Sequence, residues 1–353
     1  MGGFRMTRGG AANVLLLCGA VAGSYAVEST GAVDQHMPAT EPPPPASQAL
    51  GLGPLRLCSQ SPGQSLRLGL VPHTPADLSV GEWKYLASAS WVNVWANEED
   101  VALDYEALTS EALMAYGVSD AWAVELGATS RVTFGGRMDG LIQGFHDVFG
   151  LSQDGRDEVP LNQTDIRIEP NAHQPGLVLD GSDLDGNWQF FLRGALIYTF
   201  AHGRDGWPAA SLACTLQAPI ASRRGYEGGL VDVSLDLSLA QTIGDVVLYG
   251  SAAWTRFGAD ELYGLHLHRS NWAGLGAIEW RVTSDWSLVV QYLLSQGVAP
   301  DLYAFSKPSH ELAMGTQVRV GRHTILQLGF IENVFIFDNS PDFGIHLALE
   351  MRL

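Results

Sequence analysis

Positive charge is scarce in this chain of 353 residues: 20 Lys and Arg stand against 38 Asp and Glu, a formal net charge of −18. That balance excludes a nucleic-acid partner, because phosphate binding needs a basic surface. Charge of either sign is thin, at 16% of residues, well under the roughly 25% of an ordinary soluble domain. Long apolar runs are missing as well. Although 46% of the residues are hydrophobic, no stretch beyond the first thirty positions reaches the roughly 20 apolar residues of a membrane-crossing helix. Only three cysteines occur. Cys18 falls in the leader, and Cys58 and Cys214 either pair in an oxidising compartment or stay free. No Cys or His spacing resembles a zinc site. No Gly-x-Ser-x-Gly turn marks a hydrolase nucleophile. Neither a cofactor nor a metal is expected.

What the chain does have is a period of two. Phe343, Ile345, Leu347, Leu349, Met351 and Leu353 are apolar, and Gly344, His346, Ala348, Glu350 and Arg352 lie between them. This is a strand with one greasy and one polar face, and the chain stops while still on the greasy face. The same alternation sets Val231, Val233, Leu235, Leu237 and Leu239 against Asp232, Ser234, Asp236 and Ser238. It sets Trp122, Val124, Leu126, Val132 and Phe134 against Glu125, Thr129 and Arg131. About twelve such strands are expected between Glu82 and Leu353. Tight turns (118–120, 242–245, 283–285, 321–322) alternate with mostly longer links (98–103, 136–185, 221–229, 258–269, 298–308). Short–long alternation is the habit of a membrane barrel whose turns face one side and whose loops face the other. Trp83, Tyr116, Trp122, Trp207 and Trp286 fall beside the tight turns, where an interfacial aromatic girdle belongs. The expected fold is all-β: a transmembrane antiparallel up-and-down barrel of about twelve strands, with one short helix in a long outer loop.

The N-terminus predicts export. Arg5 and Arg8, the apolar run Ala11–Val21 and Ser24-Tyr25-Ala26 have the form of a signal peptide over 1–26. Residues 27–49, with Pro42 to Pro45, form an extended linker. Residues 50–81 are a periplasmic or lumen-entering segment, 82–353 the barrel, and 136–185 its long extracellular loop. The expected location is a Gram-negative outer membrane. The expected partners are outer-membrane lipid, the barrel assembly machinery through strand 343–353, and a small-molecule solute.

Leu55-Arg56-Leu57, Gln60-Ser61-Pro62, the aromatic strand Trp91–Asn97 and above all Gly135–Leu151, followed by Arg156, Pro160 and Asn162, form a distinctive series. In these motifs the chain resembles the family known as domain of unknown function 3187. Gln143 stands where that pattern favours a carboxylate. The resemblance implies a barrel-like outer-membrane protein and supplies no activity.

Met138, Leu141, Ile142, Phe145, Val148 and Phe149 make the apolar stripe of a helix about three turns long. That helix either folds into the barrel mouth and gates it or lies on the outer leaflet. The loop motif comprises Gly136, Asp139, Phe145, His146, Phe149, Gly150, Arg156 and Asn162. His146 with Asp139 or Asp147 has the form of a base with its orienting carboxylate, or of a loop histidine bonded to its own turn. Asp183 and Asp185 suggest a weak calcium loop, and His266 and His268 a metal pair or two surface histidines. On the polar faces lie Glu111, Glu125, Arg131, Arg193, Asp232, Asp236, Glu279, Arg281, Glu311 and Arg319. An Arg or Lys facing lipid at the midplane costs about 2–4 kcal/mol, so these are expected to line the lumen. Passage of a small polar or amphipathic solute is the function expected first. The alternatives are a lipid-acting outer-membrane enzyme using His146, or a plugged structural or surface-interaction barrel.

Overall fold

The computed structural model describes residues 50–149, 156, 159–203, 206–223, 231–333 and 339–353. The leader and the linker, 1–49, lie outside the described residues. Twelve strands form the wall: β1 (Trp83–Asn97), β2 (Val101–Gly117), β3 (Trp122–Phe134), β4 (Asn187–His202), β5 (Ala209–Ser222), β6 (Asp232–Ile243), β7 (Val246–Arg256), β8 (Ser270–Arg281), β9 (Trp286–Ser295), β10 (Ser309–Val320), β11 (Thr324–Asn333) and β12 (Phe343–Arg352). Each pairs antiparallel with its neighbours in chain order. The sheet closes where β12 meets β1, from Lys84↔Arg352 to Asn93↔Phe343. Trp83 and the terminal Leu353 exchange two backbone hydrogen bonds of 2.9 Å. The chain therefore ends on its last ladder rung. Closure leaves no unpaired strand edge, which a barrel needs where no water can satisfy the backbone.

The alternation read in the sequence is the inside–outside code of this wall. On β6, Leu235, Leu237 and Leu239 are exposed, and Asp232, Ser234, Asp236, Ser238 and Ala240 are buried. On β12, Leu347 and Leu349 are exposed, and His346, Ala348 and Glu350 are buried. Gly244 (φ +61°) and Gly321 (φ +69°) adopt the left-handed backbone that the tight turns after β6 and β10 require. At the tight-turn end, Trp83, Trp122, Trp207, Trp280 and Trp286 are exposed; Trp83 stacks near Tyr116 and Trp122 near Tyr198, both at 4.7 Å. Towards the opposite end a second row, Trp188, Trp254, Trp272 and Phe330, is exposed. The sequence reading named only the first girdle.

At the loop end the 136–185 link holds more than one element. Helix α1 (Asp139–Phe149) comes first, then a small hairpin of 165–168 and 177–180, then the short helix α2 (Gly181–Leu184). The hairpin pairs Val101–Asp104 of β2 with 165–168, beyond the last rung of β3, and so lengthens the wall. A second small hairpin, 261–262 with 265–266, and a short 3₁₀ turn at Tyr303–Ser306 rise from other loops. Ile168, Leu262, Leu265, Leu267, Val298, Leu302 and Phe305 pack with the inward residues Val101, Leu103 and Val289 into one buried apolar cluster. That cluster caps the mouth.

Helix α1 does not enter the lumen. On β1 and β2 the residues from Val92 to Ala96 and from Leu103 to Ala107 are buried in unbroken runs, on both faces of the wall. The inner face lies under the apolar cap. The outer face, with Asn93, Trp95, Asp104 and Glu106, lies under the loop that carries α1. Met138 and Ile142 are buried there and Leu141 is exposed. The helix thus lies against the outside of the wall, its polar anchors on the outward faces of β1 and β2, while the hairpin of the same loop reaches the mouth, where Ile168 joins the apolar cap and Gln174 donates to the His266 and Pro300 carbonyls.

Candidate functional site in the barrel lumen

Residues 50–78 occupy the interior. The segment enters at the tight-turn end. There the Leu52 N–H donates to Glu279 Oε1 at 2.9 Å, the Gly53 N–H donates to Glu279 Oε2 at 3.2 Å, and Tyr249 donates to the Leu50 carbonyl at 2.6 Å. Gly51, at φ +80°, lies so close to the Glu279 carboxylate that a Cβ would collide with it. Further in, the Arg56 N–H donates to Gln327 Oε1 at 3.1 Å, and Arg56 Nη2 pairs with Glu125 Oε1 at 2.5 Å. Glu311 then accepts from Ser59 Oγ, the Gln60 N–H and Ser61 Oγ, at 2.5, 2.7 and 2.9 Å. The chain turns at Gly63 (φ +76°), against Val298 under the mouth. Gln64 holds the turn to the Gln296 carbonyl and to Asn271.

The return limb starts with Arg67, which donates to the His268 and Ala259 carbonyls and lies 3.3 Å over the Phe257 ring. The Leu68 N–H donates to Asp232 Oδ2 at 3.0 Å. Arg56 Nη1 donates to the Pro72 carbonyl at 2.8 Å, tying the two limbs together. His73 bonds Ser211. At the tight-turn end again, Asp77 pairs with Lys84 and with Arg352, the latter at 2.6 Å. Burial alone would raise the Asp77 carboxyl, but Arg352 and Lys84 outweigh it and hold the group well below its ordinary value of 3.8.

The wall is shaped for this insert. Gly315 on β10 and Gly329 on β11 face each other across the ladder. Leu55 Cδ1 lies 3.0 and 3.2 Å from where their Cβ atoms would be, so the missing side chains make the notch that takes a fully buried leucine. Small inward residues such as Ala209, Ala240, Ala253 and Ala277 give room around Leu50 and Leu70. A cavity of about 50 Å³ remains in the middle, bordered by Arg56, Cys58, Glu111 and Arg193 among others. Such a space holds a few waters.

The ten predicted lumen residues divide by depth. Glu111, Glu125, Arg131, Arg193, Asp232, Asp236, Glu279 and Glu311 are buried. Arg193 pairs with Glu111, and Arg131 Nη1 donates to Thr109 Oγ1 at 3.0 Å. Glu125, Asp232, Glu279 and Glu311, from four different strands, bind the insert directly. Arg281 and Arg319 are half-buried at the rim, bordering an opening of about 480 Å³ with Gly51, Leu52, Asp245 and Ser287. Sequence reasoning missed the residues that hold the insert without charge: Tyr249, Gln317, Gln327 and Ser211. A wall strand's polar face carries no signal for what it will touch.

The loop motif forms a separate cluster outside the wall. Asp139, buried rather than solvated, pairs with Arg156 Nη1 at 3.0 Å and accepts from the Asn162 N–H at 2.7 Å. Arg156 Nη2 reaches Asn93 Oδ1 and Asp342 Oδ2, both at 2.9 Å, and its guanidinium lies 4.6 Å over the Trp95 ring. Glu106 accepts the Arg137 and Met138 N–H groups at 2.5 Å, and the Gly136 N–H donates to the Gln163 carbonyl. Of the two carboxylates named beside His146, Asp139 is engaged by Arg156. The side chains of Phe145, His146, Asp147 and Phe149, and all of Gly150, lie outside the described residues.

Asp185 accepts from Thr164 Oγ1 at 2.8 Å. His266 is exposed and His268 half-buried on a loop edge. No group of three or more metal-ligating side chains occurs among the described residues. Cys58 stands in the insert and Cys214 on the exposed face of β5, and both are free thiols. Burial pushes the Cys58 thiol up to about 11.

A closed wall with an apolar belt, two aromatic rows and a polar interior defines a transmembrane β-barrel of the outer-membrane type. Residues 42–353 match the family model described as "Protein of unknown function (DUF3187)". The chain belongs to that family. No curated protein matches it. Among solved structures it is similar to the COG4313 outer membrane channel from Pseudomonas putida F1, at 11% identity and a TM-score of 0.51, covering 80% of this chain and all of that one. The P. putida toluene transporter TodX matches at 10% identity and a TM-score of 0.38, over 79% of this chain and 92% of its own. The translocator domain of autotransporter NalP from Neisseria meningitidis matches at 10% and 0.39, over 78% and 90%.

Proposed function

We propose that this protein is an outer-membrane channel for a small polar or amphipathic solute, closed in the present conformation by residues 50–78. The observation that carries the reading is the way the insert is held. Beside its buried leucines, Leu50, Leu55, Leu57 and Leu70, it is fastened along its whole length by hydrogen bonds and ion pairs to wall side chains. Water can replace those polar partners at small net cost, and the leucines resist withdrawal in proportion to their buried area. With the insert withdrawn and the apolar cap at the mouth parted, the polar inner face lines a path through the barrel. The fold likeness to an outer-membrane channel agrees with this reading.

A permanently plugged structural barrel is the second reading, favoured by the fastening of both limbs, at Glu279 and at Asp77. Planar-bilayer recording separates the two. The full chain is compared with Leu55→Asn, which places an unpaired amide in the glycine notch. The channel reading expects sparse, brief currents from the native chain and sustained current from the variant. Silence from both, with folded-barrel gel mobility retained, contradicts it.

A further inference from the structure

We infer that the solute path selects cations, and that the solute is a small cation such as an alkali ion or a protonated amine. This rests on the channel reading and narrows it. The eight buried wall charges named above are six carboxylates and two guanidinium groups. In the closed state the insert supplies what that excess lacks. Arg56 pairs with Glu125, and the N–H groups of Leu52, Gly53, Gln60 and Leu68 and the hydroxyls of Ser59 and Ser61 donate to Glu279, Glu311 and Asp232. Carboxylates that accept N–H donors from a peptide accept them equally from an ammonium group, and they stand in for the hydration shell of an alkali ion. Withdrawing the insert removes Arg56 and Arg67 together with these donors.

A second observation points the same way. Asp236, 2% exposed on the inner face of β6, has the neighbouring Ser234 hydroxyl and the more distant charges of Arg193 and Arg56 for partners, and neither carboxylate oxygen makes a well-formed hydrogen bond. A buried carboxylate so sparsely met is costly unless water or a cation completes its shell. The tight-turn rim carries the opposite sign, with Lys84, Arg281, Arg319 and Arg352 beside Glu350 and Asp245. Arg281, Arg319 and Arg352 on that rim are half-buried and are screened by salt more than the buried carboxylates, so the middle of the lumen sets the selectivity.

Reversal potentials under a KCl gradient test this. They are measured on full-chain Leu55→Asn, with Arg56→Ala as the replacement if the first does not fold. Adding Asp236→Asn to that background removes one lumen charge without touching any contact of the insert. The expected result is a several-fold preference for K⁺ over Cl⁻, reduced when Asp236 is neutralised. A Cl⁻-selective or unselective current overturns cation selection and leaves the channel standing. An unchanged ratio in the Asp236→Asn variant overturns the role given to the lumen carboxylates. Absence of current from every folded variant overturns the channel and this inference together.

Discussion

At the scale of single residues, the insert is fastened at a few points whose removal has distinct consequences. Asp77 is held by Lys84 and Arg352. The pair is partly buried, so losing one partner costs less than the roughly 3–5 kcal/mol of a fully buried pair, and Asp77→Asn is expected to loosen the return limb. A carboxyl whose native value lies below its unfolded value contributes its full stability above the unfolded value, about 3.9. It loses that contribution as pH falls through the native value. The unfolding-temperature gap between the native chain and Asp77→Asn is therefore expected to be constant from neutral pH down to about 5 and to shrink towards pH 2. A gap that widens on acidification contradicts the pairing. Cys58 reports on the same limbs from inside. Half-buried inside the lumen, with its thiol raised to about 11, it is expected to react slowly with a charged maleimide in the native barrel and several-fold faster in Asp77→Asn. Gly329→Ala should act alike, because the added methyl would lie 3.2 Å from Leu55 Cδ1 and 3.6 Å from His346 Cβ; the leucine tip is the part able to give. Unaltered labelling in both variants would show that neither contact holds the segment.

At the scale of elements, the strands were legible because each carries its own inside–outside code. The roughly twelve strands expected between Glu82 and Leu353 are the twelve observed. Helix α1 was legible from its apolar stripe. Its placement was not, because Asp139 looks solvated until Arg156 and Asn93 are brought to it from elsewhere. Residues 50–78 have neither period. Their conformation is set mostly by partners far along the chain, up to 275 positions away, and no local pattern announces such contacts. The hairpin 165–168/177–180 was missed for a related reason: four-residue strands are too short for alternation to register. The clamp on α1 is testable by itself. Arg156→Met leaves Asp139 buried without its cation, a loss of about 3–5 kcal/mol in that loop. Proteolysis within 136–162 is expected to accelerate while the barrel keeps its heat-modifiable gel mobility. Loss of the whole barrel instead would mean that the loop is part of the wall's own stability.

At the scale of the whole molecule, closure and filling are separate achievements. Closure satisfies the backbone in lipid and presents leucines and tryptophans outward. Filling satisfies the wall's carboxylates while the path is shut. The charge that looked featureless in composition acquires a meaning from its position: the buried wall excess is acidic, and the insert brings the donors. The most direct measurement of this account uses a reversible tether. In a chain with Cys58 and Cys214 replaced by Ser, Leu55→Cys and Gly329→Cys are bridged across the notch by a short bis-methanethiosulfonate, whose two disulfide links fasten the insert to β11. Single-channel recording is then made in oxidising buffer and again after reduction. The account expects silence while the tether is intact and current once it is reduced. Equal current in the two states would mean that residues 50–78 do not close the path.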